Sequence, residues 1–234
     1  MPFENRKVAA IVPAGGAGTR MGMGGLKQFL SLNGKPIVYY PLAVLESSPL
    51  VDEIILVAPV ENLEFCRREI VENLGFQKVS NIVAGGAARQ DSVRLGFNAL
   101  SVDTGLVLIH DGVRPFITIE MVAQTLAAAH EHGAATVAIK VKDTLKQARN
   151  GIITGSVDRE DVVRIQTPQA FDYNVLKQAF EAAARDGFTG SDESSLTERA
   201  GIKTCIVEGA ETNIKITTPD DLRVAAALLP ILAQ

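Results

Sequence analysis

Val8-Ala-Ala-Ile-Val-Pro-Ala-Gly-Gly-Ala-Gly-Thr-Arg-Met21, followed by Lys27-Gln-Phe29, decides how the rest of the chain is read. Val8 to Val12 is an unbroken apolar run of buried-strand length. Gly15, Gly16 and Gly18 then supply backbone that can turn sharply and approach a ligand with no Cβ in the way. Gly22, Gly24 and Gly25 make the segment between Arg20 and Lys27 a poor helix, so those two cations are read as ligand groups and not as the polar face of a helix. A plain strand-to-helix turn with two solvated cations is the bland alternative. Neither common phosphate motif accounts for the loop. The P-loop requires a glycine followed by Lys and a hydroxyl residue, which is missing, and the dinucleotide fingerprint would need a third glycine where Met21 stands.

Working outward, 234 residues with 47% hydrophobic and 21% charged content suffice for one large α/β domain with a full core. With 23 Lys and Arg against 27 Asp and Glu the net charge is −4, which argues against nucleic acid as a partner and obliges each cation to be read by position. Cys66 and Cys205 form neither a disulfide framework nor a metal-ligand spacing. The apolar run after Arg6-Lys7 ends at Pro13, too soon for a signal peptide or a membrane span, so a cytoplasmic protein with no membrane partner is expected.

Apolar runs at Val8 to Val12, Ile54 to Ala58, Asn81 to Ala84, Leu106 to Ile109 and Thr136 to Val141 alternate with helical periodicity. The helical segments are Pro36 to Ser47, Glu61 to Leu74, Arg89 to Leu100, Ile119 to His132, Tyr173 to Arg185 and Pro219 to Leu229. Such alternation predicts a Rossmann-like, mostly parallel sheet wrapped by helices, with 1–234 as a single domain. Thr118 and Thr218-Pro219-Asp220-Asp221 are helix-start signals. Residues 142–165 break the rhythm: Arg149-Asn150-Gly151 is a turn signal between two short β segments, so this stretch is expected to be a β-hairpin arm. Having little apolar surface of its own, the arm must lie either on its own domain or on a second subunit.

In open parallel sheets the ligand crevice lies beyond the carboxyl ends of the strands. The segments just past the strand ends are therefore informative: the glycine loop with Arg20 and Lys27, then Gly85-Gly86-Ala-Ala-Arg89-Gln-Asp-Ser92, then His110-Asp111-Gly112-Val-Arg114-Pro115, and in the tail Asn213-Ile-Lys215. An acidic chain that gathers Arg20, Lys27, Arg89, Arg114 and Lys215 in one crevice is expected to bind a polyanion. Gly85 and Gly86 would let backbone reach a flat ligand such as a nucleobase edge, with Ser92 one turn into the helix able to donate or accept. Asp111 could meet a ribose hydroxyl or stand near a hydrated Mg²⁺. His110 is read as a hydrogen-bonded core histidine.

Taken in order and spacing, these pieces, with Val157-Asp-Arg159, Gln166-Thr-Pro-Gln-Ala-Phe171 and Asp192-Glu193, resemble the 2-C-methyl-D-erythritol 4-phosphate cytidylyltransferase family over nearly the whole chain. The resemblance implies a nucleotidyltransferase fold with a protruding arm, homodimerisation through that arm, and transfer of a cytidylyl group from CTP to a sugar-alcohol phosphate with release of pyrophosphate. It implies Arg20 and Lys27 as stabilisers of the transition state and Arg159 and Lys215 as holders of the acceptor phosphate, with Thr144 and Ser191 as minor polar partners. Ala14, Gly15, Gly16, Gly18, Gly86, Arg89, Ser92, Asp111, Gly112 and Arg114 are the remaining expected substrate contacts. A divalent cation, Mg²⁺ or another, is expected mainly on the CTP phosphates. A ribitol-5-phosphate cytidylyltransferase shares the glycine loop and the Thr-Pro-Gln segment, but Arg89-Gln-Asp-Ser-Val and Ser156-Val-Asp-Arg159 fit the methylerythritol branch better. A non-catalytic nucleotide sensor would be expected to lose Lys27 or Lys215, and both are present.

Overall fold

The computed structural model describes Phe3, residues 6–16 and residues 26–232. Arg20 and Gly18 therefore lie outside the described residues. In chain order the strands are β1 Lys7–Pro13, β2 Ser31–Leu32, β3 Lys35–Pro36, β4 Glu53–Ala58, β5 Val79–Ala84, β6 Thr104–Ile109, β7 Ala134–Lys140, β8 Leu145–Arg149, β9 Ile152–Val157, β10 Val163–Asp172 and β11 Cys205–Glu208. The helices are α1 Tyr39–Ser47, α2 Leu63–Phe65, α3 Arg89–Asn98, α4 Ile119–His132, α5 Tyr173–Arg185, α6 Glu193–Arg199 and α7 Pro219–Leu232. α2 runs directly into a π-helical stretch at Cys66–Glu72.

Seven strands form one sheet in the order β11-β7-β10-β6-β1-β4-β5. All pairings are parallel except those of β10, which runs antiparallel to both β6 and β7. The five sequence-predicted strands all belong to it. β1 and β4 are buried throughout their centres because helices cover both faces of the sheet. Strand periodicity separates the two cores: Val8, Ala10, Val12, Ile54 and Leu56 face α1 and α4, whereas Ile11, Ile55 and Val57 face α3 and α5. Gly96 lets α3 come close on that second face, since a Cβ there would stand 2.7 Å from an Ile11 methyl.

Helix-start chemistry behaves as the sequence suggests. Thr118 Oγ1 accepts the Met121 N–H at 3.1 Å, and Asp221 accepts the N–H groups of Thr217 and Thr218 at 2.8 Å each. Two expectations need correction, and one strand goes unforeseen. The first helix begins at Tyr39, not Pro36, because Asn33-Gly34, both at positive φ, turn the chain into the small β2–β3 hairpin. Residues 163–165, expected in the arm, pair with β7 in the central sheet, and the two-stranded hairpin itself is β8–β9 around Asn150-Gly151. β10 itself escapes the strand reading because Pro168 argues against a central strand; it is tolerated where the register with β7 shifts between Ile165 and Gln169.

Candidate active site

The strand order reverses at β1: β4 and β5 extend to one side and β6 to the other. At this switch point the chain leaves β1 as Ala14-Gly15-Gly16 and leaves β6 as His110-Asp111-Gly112, and a crevice opens between them. The cleft has a volume of about 490 Å³ and includes Ala14, Gly15, Gly16, Lys27, Gly86, Arg89, Ser92, Asp111 and Lys215 in its wall. A smaller hollow of about 240 Å³ shares Arg89, Asp111 and Lys215 with it and adds Arg114 and Ser191.

Each group is placed by its neighbours. Lys27 begins a single 3₁₀ turn, and the fully buried Gln28 beside it donates a short hydrogen bond to the Ala14 carbonyl, tying the Lys27 turn to the glycine loop. An added Cβ on Gly16 would lie 4.0 Å from Lys27 Cε, so the lysine stem passes over that glycine. After β5, Ser92 Oγ accepts the Gly86 N–H at 3.1 Å and donates to the Ala88 carbonyl at 3.1 Å. Asp91 accepts the Ala88 N–H at 3.3 Å. The Ser92 hydroxyl thus shapes the second glycine turn from within. A Cβ on Gly86 would fall 2.4 Å from Asp91 Cβ and force the turn to shift.

Asp111 is the hub. Its Oδ1 accepts from Arg89 Nε at 3.0 Å, and its Oδ2 lies 2.8 Å from Lys215 Nζ and 3.6 Å from Arg114 Nε. Burial alone would raise its pKa, but the charges of Arg89, Lys215 and Arg114 overcome that and hold the carboxyl far below the ordinary carboxylate range. Arg89 is gripped from behind by Glu193, whose two oxygens accept from Nη1 at 2.8 Å each. Burial pulls the Arg89 guanidinium toward neutrality, and the carboxylates of Glu193 and Asp111 more than reverse that.

His110 is fully buried and structural, as expected. Its Nε2 lies 3.0 Å from the Arg114 carbonyl, which can only accept, so Nε2 carries the proton. Nδ1 then accepts from the Thr167 hydroxyl at 3.0 Å, and that hydroxyl accepts the Asp111 N–H at 3.1 Å. Burial lowers the His110 pKa to about 4, in keeping with a neutral ring. Asn213 presents Lys215: its Nδ2 donates to the Thr167 carbonyl at 2.8 Å, while its own carbonyl accepts from Arg114 Nη1 at 2.7 Å.

The cation cluster expected from sequence is therefore real for Lys27, Arg89, Arg114 and Lys215, which border two contiguous hollows. It is not purely a ligand trap, since Asp111 and Glu193 give Arg89, Arg114 and Lys215 internal partners. Three expected contacts stand elsewhere. Gly112 is buried behind the loop, donating to the Pro13 carbonyl at 3.1 Å, because the ends of β1 and β6 meet there. Thr144 and Arg159 are exposed near the hairpin base, with Arg159 donating to the Lys142 carbonyl, and neither borders either hollow of its own chain. Sequence reasoning does not single out Gln28 or Gln169, and it leaves Asp192-Glu193 open between a site role and ordinary capping at a helix start. Gln169 accepts the N–H groups of Glu193 and Ser194 at 3.2 and 3.3 Å and donates to Asp192 at 2.7 Å, fastening the start of α6. The Thr-Pro-Gln segment is the signal that could have found it.

No grouping of three or more His, Cys, Asp or Glu side chains among the described residues could hold a metal ion. No helix among them is long and apolar enough to cross a membrane.

Residues 8–230 match the family model described as 2-C-methyl-D-erythritol 4-phosphate cytidylyltransferase. The chain is 46% identical to the enzyme of that name from Geotalea uraniireducens, covering 95% of this chain and 97% of the relative. It is 47% identical to the one from Geobacter metallireducens, with the same coverage. Among solved structures, a 4-diphosphocytidyl-2C-methyl-D-erythritol synthase from Anaerococcus prevotii superposes with a TM-score of 0.85 at 32% identity, covering 98% of both chains. The 2-C-methyl-D-erythritol 4-phosphate cytidylyltransferase of Thermus thermophilus gives 0.79 at 32% identity, covering 96% of this chain and 99% of that one. With the crevice at the switch point and a family match spanning almost its full length, this chain belongs to the 2-C-methyl-D-erythritol 4-phosphate cytidylyltransferase family.

Proposed function

We propose that the protein joins CTP and 2-C-methyl-D-erythritol 4-phosphate to give 4-CDP-2-C-methyl-D-erythritol and pyrophosphate, a step of non-mevalonate isoprenoid synthesis. The observation that carries this reading is the meeting of Lys27, Arg89 and Lys215 around one cleft built on two glycine turns. The chemical obstacle is repulsion: an anionic phosphate oxygen must approach an anionic α-phosphate, and unit charges about 4 Å apart repel by roughly 4 kcal/mol at an effective dielectric of about 20. Cations fixed before the reaction remove that barrier and stabilise the charge on the five-coordinate phosphorus. Lys27, held over the glycine loop by its turn, takes this role in the reading, together with Arg20. The Gly85-Gly86 turn, kept open by Ser92, receives the cytosine edge through backbone groups. Lys215 and Arg114 border the smaller hollow and suit the acceptor phosphate. No general base is needed, because the attacking phosphate is already ionised.

Asp111 borders the cleft and is already shared by three cations, which fits a Mg²⁺ held chiefly by nucleotide oxygens with at most this carboxylate from the protein. Bound there, the ion would add neutralising charge on the triphosphate. Arg159 borders neither hollow of its own chain, which supports an arm that reaches into the site of a second copy, as a homodimer. Ile152 and Ile153, 69% and 66% exposed on β9, agree with a hairpin that packs on a partner.

The test is pyrophosphate release from CTP and Mg²⁺ with methylerythritol phosphate, run beside ribitol 5-phosphate. Turnover with the first acceptor and little with the second is expected. Equal or better turnover with ribitol 5-phosphate would overturn the substrate.

A further inference from the structure

Glu193 borders neither hollow, yet its charge is tied to both. Its side chain is 1% exposed, and both oxygens grip Arg89 Nη1 at 2.8 Å. An enclosed carboxylate is costly unless paired and hydrogen-bonded. Nor does α6 require an acid at this position for capping, because Asp192 already accepts the Ser195 N–H at 3.1 Å. The backbone beneath Glu193 is pinned as well, by Gln169 Oε1 at 3.2 Å from its N–H. The carboxylate is thus delivered to one place by a fixed helix end and meets one guanidinium there.

From that guanidinium the contacts continue: Arg89 Nε to Asp111 Oδ1 at 3.0 Å, and Lys215 Nζ to Asp111 Oδ2 at 2.8 Å. Four groups of alternating sign run from α6 to the tail segment. Their last three members wall the smaller hollow along with Arg114 and Ser191. The glycine turns and the Lys27 turn are braced independently of α6, by Gln28 and Ser92. Without Glu193, Arg89 would keep only its Nε contact to Asp111, so its hold on that carboxylate would loosen and Asp111 would draw Lys215 and Arg114 in more tightly.

We infer that Glu193 is a positioning residue for the acceptor half of the reaction: by holding Arg89 on Asp111, it leaves Lys215 available to the incoming phosphate. This rests on the activity proposed above. Its effect passes through Arg89 and should therefore be absent once Arg89 is gone.

The experiment is a double-mutant cycle on the full-length protein, with steady-state kinetics varying CTP and methylerythritol phosphate separately. Glu193→Gln should lower kcat/KM for the acceptor by about tenfold or more, while KM for CTP stays within about twofold. Arg89→Met should lower it too, and the double variant should be no worse than Arg89→Met alone. In NMR of the ligand-free protein, the Arg89 Nε–H should exchange slowly in the native chain and quickly in Glu193→Gln. Glu193→Asp, which keeps the charge but draws it back by one methylene, should show a smaller loss of the same acceptor-selective kind; it decides the matter if Glu193→Gln does not fold. Losses that add in the cycle, equal losses toward both substrates, or native kinetics in the single variants would overturn the role. An inactive native protein would instead overturn the activity, and this role with it.

Discussion

Lys215 Nζ stands 2.8 Å from Asp111 Oδ2, and Arg89 Nε stands 3.0 Å from the other oxygen of the same carboxylate. One buried anion therefore stores two cations from segments 126 residues apart in sequence, in the wall of the cleft. In the proposed reaction, a phosphate entering the hollow would compete with Asp111 for Lys215 and would not have to recruit it from solvent. The cations are pre-oriented, and the protein tolerates their proximity because Asp111 and Glu193 offset most of their charge.

Asp111→Asn should accordingly damage both stability and function. Three cations would keep one another's company with a neutral amide between them, and removing one partner of a buried charge network costs on the order of 3–5 kcal/mol. Urea unfolding at neutral pH is expected to show a loss of that size. A stability change under about 1 kcal/mol would mean that solvent reaches the cluster and that Asp111 is no hub.

His110 should make the fold acid-sensitive in a defined window. Burial lowers its folded pKa to about 4, while an unfolded histidine titrates near 6.5. Above about 6.5 both states carry a neutral ring and there is no penalty. As pH falls the unfolded chain takes up the proton first, so stability declines until about pH 4, by up to about 3 kcal/mol in all. Other groups titrate in the same range, so the difference between the native chain and His110→Asn isolates this one. Unfolding free energies measured from pH 4 to 8 should be flatter in the variant; parallel slopes would exclude His110 as the source.

The parts of the site that the sequence discloses most directly are those just past apolar runs. Lys27 and Lys215 are legible as cations in glycine-loop and tail segments, whereas Gly86 and Asp111 could be placed because strand ends in an open parallel sheet share one edge. Glu193 and Gln169 could not, since their meaning depends on partners 104 and 24 residues away: Arg89 for the first and the α6 amides for the second. An acidic pair at a helix start looks like capping; Asp192 is indeed the cap and Glu193 is not. Departures from the expected fold have local causes. Asn33-Gly34 is a strong hairpin signal lying beside a helical pattern that masks it, and Pro168 conceals a strand that the register shift accommodates. Arg159 shows the limit of reading one chain, because its proposed target lies on another.

Gly86→Ala should impair the nucleotide half selectively. The new Cβ would sit 2.4 Å from Asp91 Cβ, so the turn must move, at a cost of about 1–3 kcal/mol. Ser92→Ala removes the acceptor of the Gly86 N–H and should act in the same direction more mildly, by about 1 kcal/mol. Both should raise KM for CTP with little effect on KM for the acceptor. If acceptor KM rose instead, the second glycine turn would not be the cytosine site.

The shared acceptor site can be tested by subunit mixing. Arg159 is exposed and donates to the Lys142 carbonyl of its own chain, bordering neither hollow there. Arg20→Ala and Arg159→Ala proteins should each be nearly inactive. In a two-fold dimer, mixing equal amounts yields heterodimers in half the population, each with one site that has both arginines, so activity should return to roughly a quarter of native. Fluorescence transfer between labelled subunits would verify the exchange. Failure of rescue once exchange is verified would return Arg159 to a surface role, and sedimentation as a monomer would remove the shared site altogether.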